Sequence, residues 1–250
     1  MSKNSRIALI GATSSMAEHC ARIWAQSMPE EMILVGRDQV RLDAMAGDLK
    51  VRTPGTAIRV IVMDFSNAQA ISALAQDICG ARPLDIVLIA HGTLPDQKLC
   101  QQDLAANEAG LLVNGVSPVL FAEAFASRME KQDSGAIAVI GSVAGDRGRK
   151  SNYVYGSAKG LVTRYVQGMQ HRFAATGLKV VLIKPGPTDT PMTSGFKQKG
   201  ARLASVEEVS KSIVQGIASG KDVVYAPGKW ALIMMIIRHL PKFVFNKMDI

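Results

Sequence analysis

Cysteine, aromatic residues and long apolar runs are all scarce in this sequence. The three cysteines, Cys20, Cys79 and Cys100, are odd in number and far apart, with no C-x-x-C or paired His/Cys spacing, which excludes a disulfide framework and a structural zinc site. A reducing cytoplasm is the expected setting, and no metal is expected. The apolar run at residues 7–10 is too short for the core of a signal peptide, so export is not expected. The run at residues 230–237 is eight residues, about 12 Å as a helix and far short of the roughly 20 residues that span a bilayer. No internal repeat, low-complexity tract or Pro/Ser-rich linker marks a domain boundary.

What is present is the material of a large core. Of 250 residues, 48% are hydrophobic and 20% charged, which excludes disorder for most of the chain. The formal charge is +8, attractive to nucleic acid, anionic lipid or phosphorylated substrates. Neither an aromatic-interleaved basic strand nor a recognition-helix pattern appears, so no nucleic-acid partner is expected. Part of the surplus sits at the end of the chain, where Lys229, Arg238, Lys242 and Lys247 face only Asp249.

Short apolar runs at residues 6–10, 32–36, 58–63, 85–90, 136–141, 179–184 and 222–225 read as strands. Between them, segments of helical periodicity lie at about 15–27, 39–49, 68–79, 103–129, 153–176 and 206–218. This alternation predicts right-handed βαβ units in an α/β fold, one doubly wound domain with a seven-stranded parallel sheet. Strands that are apolar throughout should be covered on both faces. The expected division is a main domain over residues 1–228 and an apolar, basic segment over 229–250.

The first strand leads into Gly11-Ala12-Thr13-Ser14-Ser15-Met16-Ala17 and then a helix, the place where backbone N–H groups and a helix N-terminus meet a pyrophosphate. The glycines are sparse, and an ordinary Ser- or Thr-capped turn reads the same way. After the second strand, Gly36-Arg37-Asp38 offers an arginine for a 2′-phosphate, which favours NADP(H). Asp38 fits either a ribose ligand or a helix cap. Asp64 and Phe65 after the third strand fit either adenine contacts or the start of the next helix.

Tyr155 and Lys159 stand four apart on a predicted helix and therefore share a face. An ammonium close to a phenol should lower its pKa towards the range of proton exchange near neutrality. Ser142 closes the fifth strand at the sheet edge where ligands of open α/β folds bind, and its hydroxyl can hydrogen-bond a carbonyl oxygen. Asn114, beside Gly115 inside a long helical segment, is a poor helix former. It fits either a water-holding amide on a proton path to Lys159 or a locally satisfied side chain.

The combination of Asn114, Ser142, Tyr155-Gly156-Ser157-Ala158-Lys159 and Pro185-Gly186-Pro187-Thr188-Asp189-Thr190 resembles the short-chain dehydrogenase/reductase family over about residues 7–225. The resemblance implies a Rossmann-type domain with strand order 3-2-1-4-5-6-7 and helices on both faces. It further implies an NADP(H)-dependent oxidoreductase with Tyr155 as general acid, Lys159 lowering its pKa and bonding the nicotinamide ribose, Ser142 orienting the substrate oxygen and Asn114 supporting the proton relay. Gly11, Thr13, Ser14, Ser15, Met16, Arg37, Asp64, Phe65, Ala90, Gly92, Pro185, Gly186, Thr188 and Thr190 would hold the cofactor, together with Tyr155 and Lys159. Two departures stand out. Ser15 and Ala17 replace later glycines of the family's first motif, and Ile89-Ala90-His91-Gly92 replaces its Asn-Asn-Ala-Gly. His91 reads better as a structural side chain than as a second acid or base.

Arg147, Arg149, Lys150, Lys197, Lys199 and Arg202 lie in segments expected to border the mouth of the site, and Arg suits bidentate phosphate recognition. Solvated loops are the plainer explanation. Of these, Arg147, Arg149 and Lys197, with Ser142 and Tyr155, are the expected substrate residues. The C-terminal segment fits either a membrane interface, aromatics buried and cations on headgroups, or a cover over the pocket or a subunit interface. Ala90-His91-Gly92-Thr93-Leu94-Pro95, residues 143–149 and Ile236-Ile237-Arg238-His239 are similar to the branch of decaprenylphosphoryl-2-keto-ribose reductase-like members, which reduce a keto-sugar on a polyprenyl phosphate. The expectation is thus a ketone reductase for a small or lipid-linked anionic substrate, assembled as a homodimer or homotetramer and peripheral to the inner membrane face. A 3-oxoacyl-carrier-protein reductase and a non-catalytic NADP(H)-binding protein are the alternatives.

Overall fold

In the computed structural model, residues 4–80, 82–198 and 202–248 are described. Seven strands, β1 (Arg6–Ile10), β2 (Glu31–Gly36), β3 (Ala57–Val62), β4 (Ile86–Ile89), β5 (Ala136–Ile140), β6 (Lys179–Pro185) and β7 (Val223–Ala226), form one sheet in the order β3-β2-β1-β4-β5-β6-β7. Every pairing is parallel, with Ile7 opposite Met32 on one side and Ile86 on the other. The order reverses between β1 and β4. There the crossovers leave to opposite sides, opening a crevice at the carboxyl ends of the strands.

Alternate residues of each strand feed two separate cores. Ile7 and Leu9 join α1 (Ser15–Ala25), α2 (Gln39–Arg52) and α9 (Val206–Ala218) on one face. Ala8 and Ile10 join α3 (Ala68–Gly80), α6 (Ser117–Met129) and α7 (Tyr153–Arg172) on the other. Phe121 and Phe125 are fully buried there, each contributing about 1.5–3 kcal/mol through removal of its ring from water. The expected two-sided burial fails at β3, an edge strand in which Ala57, Arg59 and Val62 are exposed. Arg59 is the polar marker of that edge and reaches Asp77 on α3 at 2.5 Å.

The segment expected as one helix over 103–129 is interrupted. It divides into α5 (Leu104–Leu111), a π-helical turn over Leu112–Val116 and α6, with a short helix α4 (Gln97–Gln102) before it. Asn114 lies inside the π turn, the kind of local irregularity that often accompanies functional positions. The run Leu104–Gln132 is long and apolar enough to cross a membrane by composition, yet over half of the apolar stretch is buried inside the fold. Three further helices complete the chain: α8 (Ser194–Gln198), α10 (Lys229–His239) and α11 (Lys242–Phe245).

Candidate active site

Gly11 ends β1 with φ +78°, and a Cβ there would stand 2.6 Å from the backbone nitrogen of His91. Only glycine combines that left-handed conformation with so close an approach. The turn folds back so that Gly11 N and Ala12 N both donate to the Val35 carbonyl, at 2.9 and 3.0 Å. Ser14 then caps α1 by accepting from Ala17 N at 3.2 Å. Thr13, Ser14, Ser15 and Met16 consequently line a crevice of about 800 Å³ at the N-terminus of α1, where orphan N–H groups favour an anion.

At one end of this crevice lies Arg37. Asp38 resolves to the cap reading, its carboxylate accepting from Arg41 N at 3.1 Å at the head of α2. Asp64 is exposed and hydrogen-bonds its own turn, accepting from Ser66, which holds its carboxyl below the usual range. Asp64 and Phe65 edge a small adjoining recess with Arg37, His91 and Gly92. Sequence reasoning missed Arg41. It stands four residues after Arg37, donates to the Thr13 carbonyl at 2.7 Å and lines the same end of the crevice. The available signal was a second arginine in the same strand-to-helix segment, four positions after Arg37.

At the other end the structure brings together Ser142, Tyr155, Lys159 and Asn114. Ser142 is buried and extended, and its Oγ accepts from Ala144 N at 3.1 Å, which fixes the hydroxyl at the end of β5. Lys159, one turn along α7 from Tyr155, is 3% exposed and donates from Nζ to the Ile140 carbonyl at 2.9 Å. Its Nζ lies 5.9 Å from the centre of the Tyr155 ring. A Cβ at Gly92 would stand 2.9 Å from Asn114 Oδ1 and 3.7 Å from Lys159 Nζ, so the chain must pass here as glycine.

Electrostatics at this end differ from the expectation that the ammonium acidifies the phenol. Burial pushes Tyr155 above its ordinary pKa, while hydrogen bonding with Ser142 pulls the other way. Burial also lowers Lys159 to about 8. Both groups are buried and the ammonium stands 5.9 Å from the ring centre, so desolvation of the two outweighs their interaction. A phenol kept protonated is suited to give up a proton only when a more basic oxygen arrives.

Both ends of the Asn114 amide are engaged, with one lone pair of Oδ1 still open. Its Oδ1 accepts from Thr93 N at 2.9 Å, and its Nδ2 donates to the Gly110 carbonyl at 3.0 Å and to Thr93 Oγ1 at 3.4 Å. The side chain therefore holds the loop after β4 against the π turn and acts as a positioning group. His91 is structural: its Nε2 is 2.9 Å from Ser117 Oγ, and its ring packs edge-on against Phe65 and Phe121. Burial pushes it down to about 3, leaving it neutral.

Ala90, Gly92, Pro185, Gly186, Thr188 and Thr190 also line the crevice. Among the described residues, Arg149 is the one expected substrate cation that does so, and burial lowers its pKa. Arg147 is directed elsewhere. It hydrogen-bonds the Ile237 carbonyl, donates to the Leu240 carbonyl at 2.8 Å and lies 3.7 Å from the centre of the Phe245 ring. The cause is the carbonyl end of α10, where the last carbonyls lie beyond the helical ladder and attract a donor. The side chain of Lys197 lies outside the described residues.

The residues present fit a dinucleotide: a helix N-terminus for the diphosphate, cations at one end and a buried proton donor at the other. The short chain dehydrogenase model matches residues 5–201. An uncharacterized oxidoreductase of Mycobacterium tuberculosis is 28% identical over 245 residues, covering 97% of this chain and 96% of that one. One from Streptomyces coelicolor is 25% identical over 241 residues, covering 96% and 94%. Among solved structures, a short-chain dehydrogenase from Sphingobium yanoikuyae in complex with NADPH superposes with TM-score 0.83 at 23% identity, covering 98% of this chain and 96% of that one. A short-chain dehydrogenase from Burkholderia cenocepacia in complex with NADP gives 0.81 at 17% identity, covering 99% and 98%. Matched over most of its length and carrying its motifs in one crevice, the chain belongs to the short-chain dehydrogenase family of oxidoreductases.

Proposed function

We propose that the protein is an NADP(H)-dependent carbonyl reductase that converts a ketone to a secondary alcohol. The observation that carries this reading is the convergence of Ser142, Tyr155 and Lys159 at one end of a crevice whose other end holds Arg37 and Arg41. Bound there, the reduced nicotinamide supplies a hydride to the carbonyl carbon. Ser142 Oγ orients the carbonyl oxygen, and Tyr155 gives its phenolic proton to that oxygen as negative charge develops. Lys159 keeps a positive charge beneath the phenol, and Asn114 holds the walls of the site in place. NADPH oxidation measured across ketone classes tests the reading; no oxidation with keto-sugar phosphates, keto-lipids, β-ketoacyl thioesters or simple ketones would overturn it.

The finer proposal is a ketone carried on an anion, of the kind found in a keto-sugar on a polyprenyl phosphate. Its support is Arg149, half-buried in the crevice, with no carboxylate among the described residues within ion-pair distance. An assembly of two or four copies is proposed to cover exposed apolar residues such as Leu104 and Leu161, and light scattering would report its mass.

Two results are expected from this arrangement. Arg37→Ala should raise the KM for NADPH roughly 10–100-fold, the value of a charge-assisted hydrogen bond to phosphate, and leave NADH use nearly unchanged. Equal losses with the two nucleotides would remove the 2′-phosphate role. Second, the free enzyme needs Lys159 charged, and its pKa is about 8. The charged form is populated below that value and lost above it, so kcat/KM for reduction should be level below about pH 8 and fall about tenfold per unit above it. A profile flat to about pH 10, where an ordinary lysine titrates, would contradict this.

A further inference from the structure

Helix α10 is apolar on both sides, and only one side is covered. Trp230, Ile233, Met234 and Ile237 recur at three- and four-residue spacing and face the fold. Trp230 is set against Gly186, where an added Cβ would stand 1.9 Å from its Nε1, and Met234 is 4% exposed. The opposite stripe, Leu232, Met235 and Ile236, is 60%, 48% and 54% exposed, and Phe243 on the following turn is 72% exposed. A helix that is apolar all round is ordinarily covered all round.

We propose that this outer face of α10 and α11 docks on an anionic lipid surface. The charges beside it select that occupant. Lys229, Arg238, Lys242 and Lys247 are all exposed, and no Asp or Glu occurs among residues 229–248. A second copy meeting this face across a two-fold axis would bring together two rims whose charged side chains on α10 and α11 are all cationic among the described residues, an arrangement opposed by like-charge repulsion. An anionic headgroup layer instead takes the apolar stripe below the headgroups and the cations at their level.

The docking face is also fixed to the active-site loop. Arg147 clamps the carboxyl end of α10 and stacks on Phe245. Its neighbour Asp146 is pinned by Lys184 Nζ at 2.5 Å and Tyr225 OH at 2.9 Å. Both belong to the loop that begins at Ser142. A surface bound by α10 thus lies at a set position relative to the mouth of the crevice.

The test does not involve turnover, so it separates this inference from the reductase reading. The intact protein is sedimented with phosphatidylcholine vesicles and with mixed phosphatidylcholine/phosphatidylglycerol vesicles, at low and high salt. Binding is expected only to the mixed vesicles and should weaken with salt. The variant K242Q/K247Q should lower the partition coefficient roughly 25-fold, at about fivefold per cation near the surface. The exposed triple variant L232S/I236S/F243S should abolish binding, with circular dichroism showing the fold retained. No binding to the mixed vesicles, or binding unaffected by both variants, overturns the proposal. So does a solution dimer that the triple variant converts to monomer, which would assign the face to a second copy.

Discussion

Turnover of the Tyr155→Phe enzyme is expected to fall by roughly 10²–10⁴-fold, the usual contribution of a positioned general acid. The substitution removes one hydroxyl and keeps the ring, so its packing in the wall of the crevice should persist. Nothing in the diphosphate or 2′-phosphate end of the site changes, since that end is built from the turn at Gly11 and from Arg37 and Arg41. NADPH affinity, measured by the fluorescence of the bound nucleotide, should therefore stay within about threefold of the unmodified protein, a difference under 1 kcal/mol. Retained turnover would refute the assignment of Tyr155 as acid. Loss of both turnover and nucleotide affinity would show that the phenol acts structurally. The raised pKa of the buried phenol keeps it protonated, and the histidine beside the crevice offers no substitute: His91 is neutral with its ring held among Phe65, Phe121 and Ser117.

The sheet was legible because its strands announce themselves twice. Each is a short apolar run, and each is followed by a turn and a helix of matching period, so the parallel alternation follows from pattern alone. Where the pattern is weaker, local chemistry decided against it. Arg59 in an otherwise apolar run marked β3 as an edge, a signal set aside when all strands were expected to be covered. The break at Asn114 had a sequence cue in the Asn-Gly pair, but a π turn depends on what the amide binds. Thr93 N and the Gly110 carbonyl are 21 and four residues away in sequence, and no local window joins them.

The convergence of Ser142, Tyr155 and Lys159 in one crevice was legible by spacing, while their electrostatics were not. A separation of four positions between Tyr155 and Lys159 fixes a shared face, but whether the pair acidifies the phenol depends on how deeply each is buried. The burial comes from other elements: β5 supplies the Ile140 carbonyl that takes one of the ammonium's donors. Arg147 failed for a related reason. Charge and position put it at the mouth, whereas the carbonyls at the end of α10 lie some 90 residues later in the chain and compete for it.

The same long-range dependence makes Asp146 the position where substitution should cost the most stability. Its carboxylate and the ammonium of Lys184 are 2% and 4% exposed and 2.5 Å apart, and Tyr225 OH donates to the second oxygen at 2.9 Å. Burial and the adjacent carboxylate together push Tyr225 up to about 12, so the phenol remains a donor throughout the range in which the fold is stable. Asp146→Ala leaves an uncompensated ammonium and an unpaired hydroxyl inside the protein, and a broken buried pair costs about 3–5 kcal/mol. Chemical denaturation should show that loss with little change in slope. Replacing both charges, as in Asp146→Leu with Lys184→Met, should recover much of it, because two matched apolar side chains carry no desolvation penalty. If the single variant lost less than about 1 kcal/mol, water would be reaching the ammonium and the pair would count as a surface bridge. If the double variant lost as much as the single one, the stability would reside in the packing of the Ser142 loop against β6 and β7, with charge secondary. A full loss in the single variant with recovery in the double one would show that the ion pair holds the Ser142 loop in register with α10, and substrate turnover in the double variant should then fall even as stability returns.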